Sequence, residues 1–410
     1  MVFRTTNSIT LVTSYTFICI VNFATFVNMF FALFIFTTAL LLAYCLLIIF
    51  YRYWFVRLRE FIITPDSKPK TRFSIIIPAR NEEENIQDCL LSVLYQHYPS
   101  ELFEVIVIND HSTDTTEQIV RVMQQSHSNL QLLNLTEHLD GKLLNAYKKK
   151  AIELAIAQST GQWIVSTDAD CLVTKDWLVS YNEYILQKDP VFIAAPVMFT
   201  NNHTFLSVFQ LLDFISLQGI TAAAVSVGFH AMCNGANIAY RKNVFYEVGQ
   251  FKGIDHIASG DDMLLMHKMK QKYPNKLGYL FCTEAIVTTT PMGNWKSFFN
   301  QRIRWASKAD KYRDKSITWT LALVYALNLT LLLLLLCCPF VPFGFNKWLL
   351  FVLVKTLVEL SFMVPVAKFY QQQDMLGWFP FMQPFHIVYT VVAGWLGKFG
   401  SYQWKGRKLS

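Results

Sequence analysis

Hydrophobic and polar positions divide this chain into three regimes. No Asp, Glu, Lys or Arg lies between Arg4 and Arg52, and none lies between Lys315 and Lys347. A bilayer core of about 30 Å takes roughly 20 apolar residues as helix, so each stretch is long enough to span it. Residues 29–50 form the main N-terminal span. Residues 9–27 are apolar but broken by Thr, Ser and Asn, and read as a second helix, an interfacial segment or part of an overlong signal-like region. A cleaved signal peptide fits poorly, because Arg4 alone supplies the basic n-region. Residues 317–340 and 348–366 read as two further spans. Residues 375–397 form a third, in which Pro380, Pro384 and His386 would make the first half interfacial.

Between these regimes the pattern changes to short β-branched runs alternating with helical periodicity. FSIIIP (73–78), EVIVIN (104–109), residues 130–135 and WIVST (163–167) read as strands, with helices over 83–96, 115–125 and 146–158. That alternation implies βαβ units and a mainly parallel sheet, hence an α/β domain. Ligands bind such sheets beyond the carboxyl ends of their strands. Polar clusters fall there: Ala79-Arg80-Asn81-Glu82, Asp110-His111-Ser112-Thr113-Asp114 and Asp168-Ala169-Asp170. The expected division is a membrane segment over 1–64, a globular domain over 65–315 entered by a linker with Pro65 and Pro69, and a membrane region with two to three spans over 316–410.

Composition agrees with this division. Apolar residues make up 53% and charged residues 16%, which excludes a disordered chain, a collagen and a disulfide scaffold. The net charge of +7 does not point to nucleic acid, because basic residues gather beside the apolar runs. Arg52, Arg57 and Arg59 follow the first run, and Arg302, Arg304, Lys308, Lys311, Arg313 and Lys315 precede the second. The positive-inside rule then puts the middle domain in the cytosol of an integral membrane protein of the plasma (inner) membrane. The eight cysteines show no C-x-x-C spacing and read as buried small hydrophobes.

Chemistry concentrates in a few places. Asp168-x-Asp170 ends a buried strand, where two carboxylates can share a divalent cation with a diphosphate. Asp110 ends another strand, where a carboxylate can accept hydrogen bonds from a nucleobase; Asp114 reads as a helix cap. Ser259-Gly260-Asp261-Asp262 opens a helix and reads either as its cap or as the source of a general base. Gln301, Arg304 and Trp305 crowd one helical face and read either as a ligand site or as a headgroup anchor. Residues 294–308 alternate aromatic and basic positions, the pattern of a helix lying in the headgroup plane. Lys355 and Glu359 form an i,i+4 pair inside a span.

FSIIIPARNEEENI, EVIVINDHSTDTT, WIVSTDADC, NGANIAYRKNVFYEVGQF, SGDD and QRIRW occur in the order found in glycosyltransferase family 2. Over residues 73–308 the chain resembles a membrane-bound member, similar in layout to polysaccharide synthases and glycolipid-forming relatives. The resemblance implies a GT-A (Rossmann-like) fold, a nucleotide-sugar donor, Mg²⁺ or Mn²⁺, and inversion at the anomeric carbon. It implies that Pro78, Ala79, Arg80 and Glu82 line the nucleotide pocket and that Asp110 contacts the base. Asp168 and Asp170 would be the D-x-D, with Asp170 the direct metal ligand. Gly235, Ala236 and Asn237 would line the acceptor side, and Asp262, or its neighbour Asp261, would be the base. Gln301, Arg304 and Trp305 would bind the diphosphate and the acceptor sugar. Three positions depart from the pattern. Asn109 stands where many relatives have Asp, Asp261 stands for the Glu of a Glu-Asp pair, and the family's Gly-Lys matches either Gly141-Lys142 or, better by distance, Tyr147-Lys148. The acceptor is open between a lipid and a growing polysaccharide. The competing readings are a catalytically inactive scaffold of the same fold and a polysaccharide or lipid export component.

Overall fold

The computed structural model describes residues 6–64, 68–138, 146–257, 260–308, 311–312, 314–400, 402–404 and 407–409, with side chains from 28 to 400. Pro65, Gly141-Lys142, Ser259, Arg313 and Lys405-Gly406 lie outside the described residues.

Helix α1 (Thr6–Arg57) is continuous through both N-terminal apolar stretches. The globular domain then runs β1 (Phe73–Ala79), α2 (Ile86–Leu94), β2 (Phe103–Asn109), α3 (Thr116–Gln124), β3 (Leu130–Asn134), α4 (Tyr147–Gln158) and β4 (Trp163–Ser166). It continues with β5 (Cys171–Leu172), α5 (Trp177–Lys188), β6 (Phe192–Ala194), β7 (Val197–Phe199) and α6 (Phe205–Ser226). After these come β8 (Ile238–Arg241), α7 (Lys242–Glu247), α8 (Met263–Lys272), β9 (Leu277–Tyr279), β10 (Val287–Thr289) and α9 (Trp295–Ala306). Helices α10 (Lys315–Cys337), α11 (Gly344–Phe369) and α12 (Phe379–Phe399) follow.

The main sheet has the order β3-β2-β1-β4-β8-β6-β9. Strands β1 to β4 are parallel, with Phe73 opposite both Phe103 and Trp163. Only β8 runs against its neighbours β4 and β6. The carboxyl ends of β1, β2 and β4 therefore open on one edge. A smaller sheet, β5-β10-β7, stands beside it.

Buried parallel strands read as unbroken apolar runs, which made β1 and β2 legible. Their side chains still alternate between faces. Ile75 and Ile77 pack with Cys89 and Leu90 of α2, whereas Ile76 packs with Ile152 and Ile156 of α4. The second face continues without a break into α6, α11 and the inner side of α1, so the long apolar helices and the domain share one core.

Among the described residues four helices are long and apolar enough to cross a membrane: Asn28–Arg57, Phe205–Ser226, Lys315–Phe340 and Gly344–Phe369. Met29, Phe31, Ile35, Leu42 and Leu46 are exposed on α1, a continuous apolar surface of the kind that meets lipid. Helix α6 differs, because 83% of its apolar window is buried inside the protein. It is an interior helix that the sequence reading passed over.

Helix α9 also departs from expectation. Residues 294–308 were expected to lie in the headgroup plane with their apolar side in lipid. Instead Phe298 is fully buried against Phe209 of α6 (ring centroids 5.7 Å) and Tyr389 of α12 (5.5 Å). Protein covers that face. On the same face Arg302 is buried and pairs with Asp213 of α6 at 2.8 Å, while the Tyr389 hydroxyl donates to the other oxygen of Asp213.

Candidate active site

The loops after β1 and β2 are laced together. Asn81 and His111 adopt left-handed backbone, φ 51° and 56°, a region that Asn and His enter more readily than most residues. These turns let Asn81 N–H donate to Ser112 Oγ (3.0 Å), while Thr113 N–H donates to Asn81 Oδ1 (2.8 Å). Arg80 Nη1 donates to the carbonyls of Asp110 (2.8 Å) and His111 (3.1 Å). Asp110 is buried, and its Oδ1 lies 2.8 Å from His111 Nδ1. Pro78 is half-buried and Ala79 buried. Glu82 N–H donates to Thr116 Oγ1 (2.8 Å), and Asp114 accepts from Thr116 N–H (3.1 Å) in the capping manner expected of it.

Asn109 explains its own departure from the family pattern. Its Nδ2 donates to Asn134 Oδ1 (3.0 Å) and Glu117 Oε2 (3.2 Å), while its Oδ1 accepts from Ser112 N–H (3.0 Å). A carboxylate there could make neither donation and would face Glu117 with like charge.

The D-x-D follows β4. Lys148, from the first turn of α4, reaches Asp168 Oδ1 at 2.8 Å and Asp261 Oδ2 at 3.5 Å. One ammonium therefore joins two acidic motifs far apart in sequence. Burial alone would lower Lys148, but Asp168, Asp261 and Asp262 hold it well above the usual lysine range. Burial would likewise raise Asp261, yet Lys148, Lys308 and Lys149 keep its carboxyl below the usual range. Asp261 is thus a fixed anion.

Its neighbour Asp262 turns the other way. It caps α8, with Oδ1 accepting from Met263 N–H (2.7 Å) and Oδ2 from Gly235 N–H (2.9 Å). The cap reading of this pair is therefore observed, and the same carboxylate faces the Gly235-Ala236 loop. Lys308, just past α9, is lowered by burial, partly restored by Asp262, and lowered further by Arg304. The end of α9 thus brings Arg304 and Lys308 into the electrical neighbourhood of the acidic pair.

Not every expected residue faces this cleft. Asn237 is wholly buried: Nδ2 donates to the carbonyls of Pro196 and Ala285 (both 2.7 Å), and Oδ1 accepts from Trp177 Nε1 (2.9 Å) and Tyr181 OH (2.8 Å). Its amide is saturated by the core, which corrects the expectation that it lines the acceptor side. Gly235 faces Asp262 through its backbone N–H, and Ala236 is buried. Trp305 packs on Phe214 (5.9 Å between centroids) under the Arg302 guanidinium (4.3 Å), and Gln301 Oε1 accepts from Arg302 Nη1 at 3.4 Å. Lys149 and Lys308 were not singled out as site residues from sequence. Their signal was weak, being only lysines beside Lys148 and one turn beyond Arg304.

Among the described residues no group of three or more His, Cys, Asp or Glu could hold a metal ion. The donor set at Asp168 and Asp170 fits a different kind of site. A hard cation such as Mg²⁺ takes one or two carboxylates and completes its shell with phosphate and water oxygens. Asp170 borders the Cys171 thiol (3.7 Å), which burial and then Asp170 and Asp168 push well above the usual thiol range, so it stays protonated.

Two family models match the chain: glycosyl transferase family 2 over residues 74–249, and glycosyl transferase family group 2 over residues 163–395, more than half of its length. The chain belongs to glycosyl transferase family 2. This family 2 chain is 28% identical to Glycosyltransferase AglE of Haloferax volcanii over 190 residues, 46% of this chain and 58% of that protein. It is 25% identical to poly-beta-1,6-N-acetyl-D-glucosamine synthase of Staphylococcus epidermidis over 267 residues, 62% of this chain and 59% of that protein. The match therefore spans under three-fifths of each relative's own length. Among solved structures, a mannosyltransferase from Pyrobaculum calidifontis in complex with GDP-Man and Mn²⁺ superposes with a TM-score of 0.59 at 17% identity, over 89% of this chain and 98% of that one. That likeness confirms the GT-A-like α/β fold with its mainly parallel sheet.

Proposed function

We propose that this chain is an inverting glycosyltransferase that moves a sugar from a nucleotide-sugar donor to a membrane-associated acceptor, a lipid or a growing polysaccharide. The observation that carries this reading is Lys148, which holds Asp168 of the D-x-D and Asp261 of the second acidic motif in one cleft at the strand ends. Family membership and the names of the relatives support sugar transfer. The shared core of domain and apolar helices supports an acceptor presented at a membrane, and the basic residues flanking the apolar runs support a domain in the cytosol.

In this reading Arg80, Glu82 and Asp110 frame the nucleotide, between Pro78-Ala79 and the left-handed turn at His111. Asp168 and Asp170 would hold a divalent cation, which when bound would neutralise charge on the diphosphate. Arg304 would add a fixed positive charge for the departing diphosphate, a contribution that needs no reorganisation during reaction. Asp262 is the preferred base, because its carboxylate faces the Gly235 loop while Asp261 is committed to Lys148. The base takes the acceptor hydroxyl proton as that oxygen attacks the anomeric carbon opposite the leaving diphosphate. Gln301 and Trp305 would support the acceptor sugar. The test is to incubate purified protein in native lipid extract with a panel of nucleotide sugars and read products by mass spectrometry. Neither transfer nor donor hydrolysis with any sugar would overturn the reading in favour of an inactive scaffold.

A further inference from the structure

The first turn of α4 sends two neighbouring lysines to different places. Successive residues on a helix diverge by about 100°. Lys148 faces Asp168 and Asp261, whereas Lys149 is 2% exposed and donates to the carbonyls of Ile254 (2.8 Å) and Ile257 (2.6 Å). Those carbonyls belong to the segment that leads from α7 toward Asp261-Asp262. It is an irregular stretch, with positive φ at Gly249, Gln250, Gly253 and Gly260. Its earlier part rests on another ammonium: Lys268 of α8 donates to the carbonyls of Gly249 (3.3 Å), Gln250 (2.5 Å) and Lys252 (2.9 Å). The segment is therefore gripped by its carbonyls from two helices, one beside the D-x-D and one capped by Asp262. Burying an ammonium is costly unless it is fully hydrogen-bonded, so a lysine at this place trades desolvation for a strong, directional hold on the segment.

We propose that Lys149 is a positioning residue for the transfer step: it fixes the Ile254–Ile257 turn and so sets Asp261-Asp262 against the D-x-D side of the cleft. The inference rests on the proposed transferase reading and extends it to a residue outside the family motifs quoted above. It makes turnover, rather than donor binding, depend on the Lys149 ammonium.

The charged groups around Lys149 are Asp261 and Asp262 at the start of α8, Lys308 past α9, Asp255 within the segment, and Lys148 on its own helix. Burial pushes Lys149 down to about 8, against the upward pull of Asp261 and with a further lowering by Lys308. Its proton is therefore lost as pH rises through that value, and with it the charge that strengthens both carbonyl bonds.

The experiment compares full-length wild type, Lys149→Met and Lys149→Arg by hydrogen–deuterium exchange and by steady-state kinetics. Lys149→Met is expected to speed amide exchange over residues 254–257 while leaving β1 to β4 unchanged. It should lower kcat about 10- to 100-fold, the usual consequence of a misplaced reacting group, with donor KM little altered. Lys149→Arg should recover part of kcat and hold its turnover above pH 8, where wild type declines. Unchanged exchange and unchanged kcat in Lys149→Met would overturn the inference, as would equal falls in kcat for Met and Arg with identical pH profiles. If wild type turns over no nucleotide sugar, the transferase reading fails, while the exchange comparison still decides whether Lys149 holds the segment. If Lys149→Met does not fold, the alkaline limb of Lys149→Arg against wild type decides the matter.

Discussion

Replacing Lys148 by Met removes one ammonium and keeps the side-chain volume nearly constant. Two contacts disappear: a charge-assisted hydrogen bond to Asp168 at 2.8 Å and a looser ion pair with Asp261 at 3.5 Å. A hydrogen bond to a charged group is worth about 1.5–3 kcal/mol. The looser contact adds about 0.5–1 kcal/mol, in the range of partly solvated pairs. If the hold of Lys148 on both carboxylates is realised in full only in the transition state, the loss is about 2–4 kcal/mol, or about 30- to 1,000-fold in kcat/KM. The Asp168 side chain is 37% exposed and regains water, whereas that of Asp261 is 13% exposed and does not. The expected fall therefore lies toward the lower end, about 30- to 100-fold.

The variant should also move the acid limb of the rate profile. Lys148 is the strongest of the three lysines that oppose burial at Asp261. Without it the carboxyl rises, so protonation overtakes it at higher pH. Stability follows the same sign: the contribution of ionised Asp261 is present above the usual carboxylate range and is lost as pH falls through its lowered folded value. In the variant that loss begins at higher pH. The assay is donor-dependent release of nucleoside diphosphate by purified protein in lipid from pH 4 to 8, with Lys148→Arg as the charge-retaining control. A kcat/KM within about threefold of wild type, less than a kcal/mol, would refute the bridging role and with it the observation on which the proposed function stands.

Asp170→Ala should abolish transfer and cation-dependent nucleotide binding with the fold intact by circular dichroism; ordinary turnover with Mg²⁺ or Mn²⁺ supplied would remove the metal assignment. Asp262→Asn should still bind donor yet transfer nothing, and Asp261→Asn should lose less; the reverse order in a single-turnover assay would make Asp261 the base. Arg304→Lys keeps the charge but loses the planar fork, so turnover should fall sharply while membrane association persists by flotation; unchanged turnover would make the C-terminal end of α9 a structural element only. Arg302→Met should cost about 3–5 kcal/mol, because it strands the buried Asp213 carboxylate, and Asp213→Leu in the same chain should restore most of it. A loss below about 1 kcal/mol in detergent-based thermal unfolding would mean that solvent reaches the pair.

The place of the candidate site in the fold was readable because motif and strand end coincide. FSIIIP, EVIVIN and WIVST each run into their polar cluster at the carboxyl end of β1, β2 or β4. Residues whose partners come from distant parts of the chain were not readable. Lys148 was selected by its distance to the D-x-D, but its neighbour Lys149 was not, because only the packing of α4 sends one to carboxylates and the other to carbonyls. Asn237 is a polar residue in a glycine-rich stretch, a pattern that fits a binding loop as well as a core amide with four partners. Helix α6 carries one charge, Asp213, in 22 residues, but sits inside a domain of otherwise soluble composition.

The misreading of α9 has a definite physical cause, and the sequence held the means to avoid it. Periodicity reports that one face of a helix is apolar; it does not report what covers that face, because lipid chains and the rings of Phe209 and Tyr389 present the same chemistry to Phe298. A polar group on the face does discriminate. Arg302 is four residues from Phe298 and three from Trp305, so it stands on the apolar side of the helix. A helix in the headgroup plane has no use for a guanidinium there, since long basic side chains at an interface reach toward water. Inside a protein such a group survives only with a paired carboxylate, and α6 supplies one at Asp213. An arginine on the apolar face of an amphipathic helix is therefore a sign that protein covers that face, and here the lone acid of the apolar helix α6 was the partner to look for.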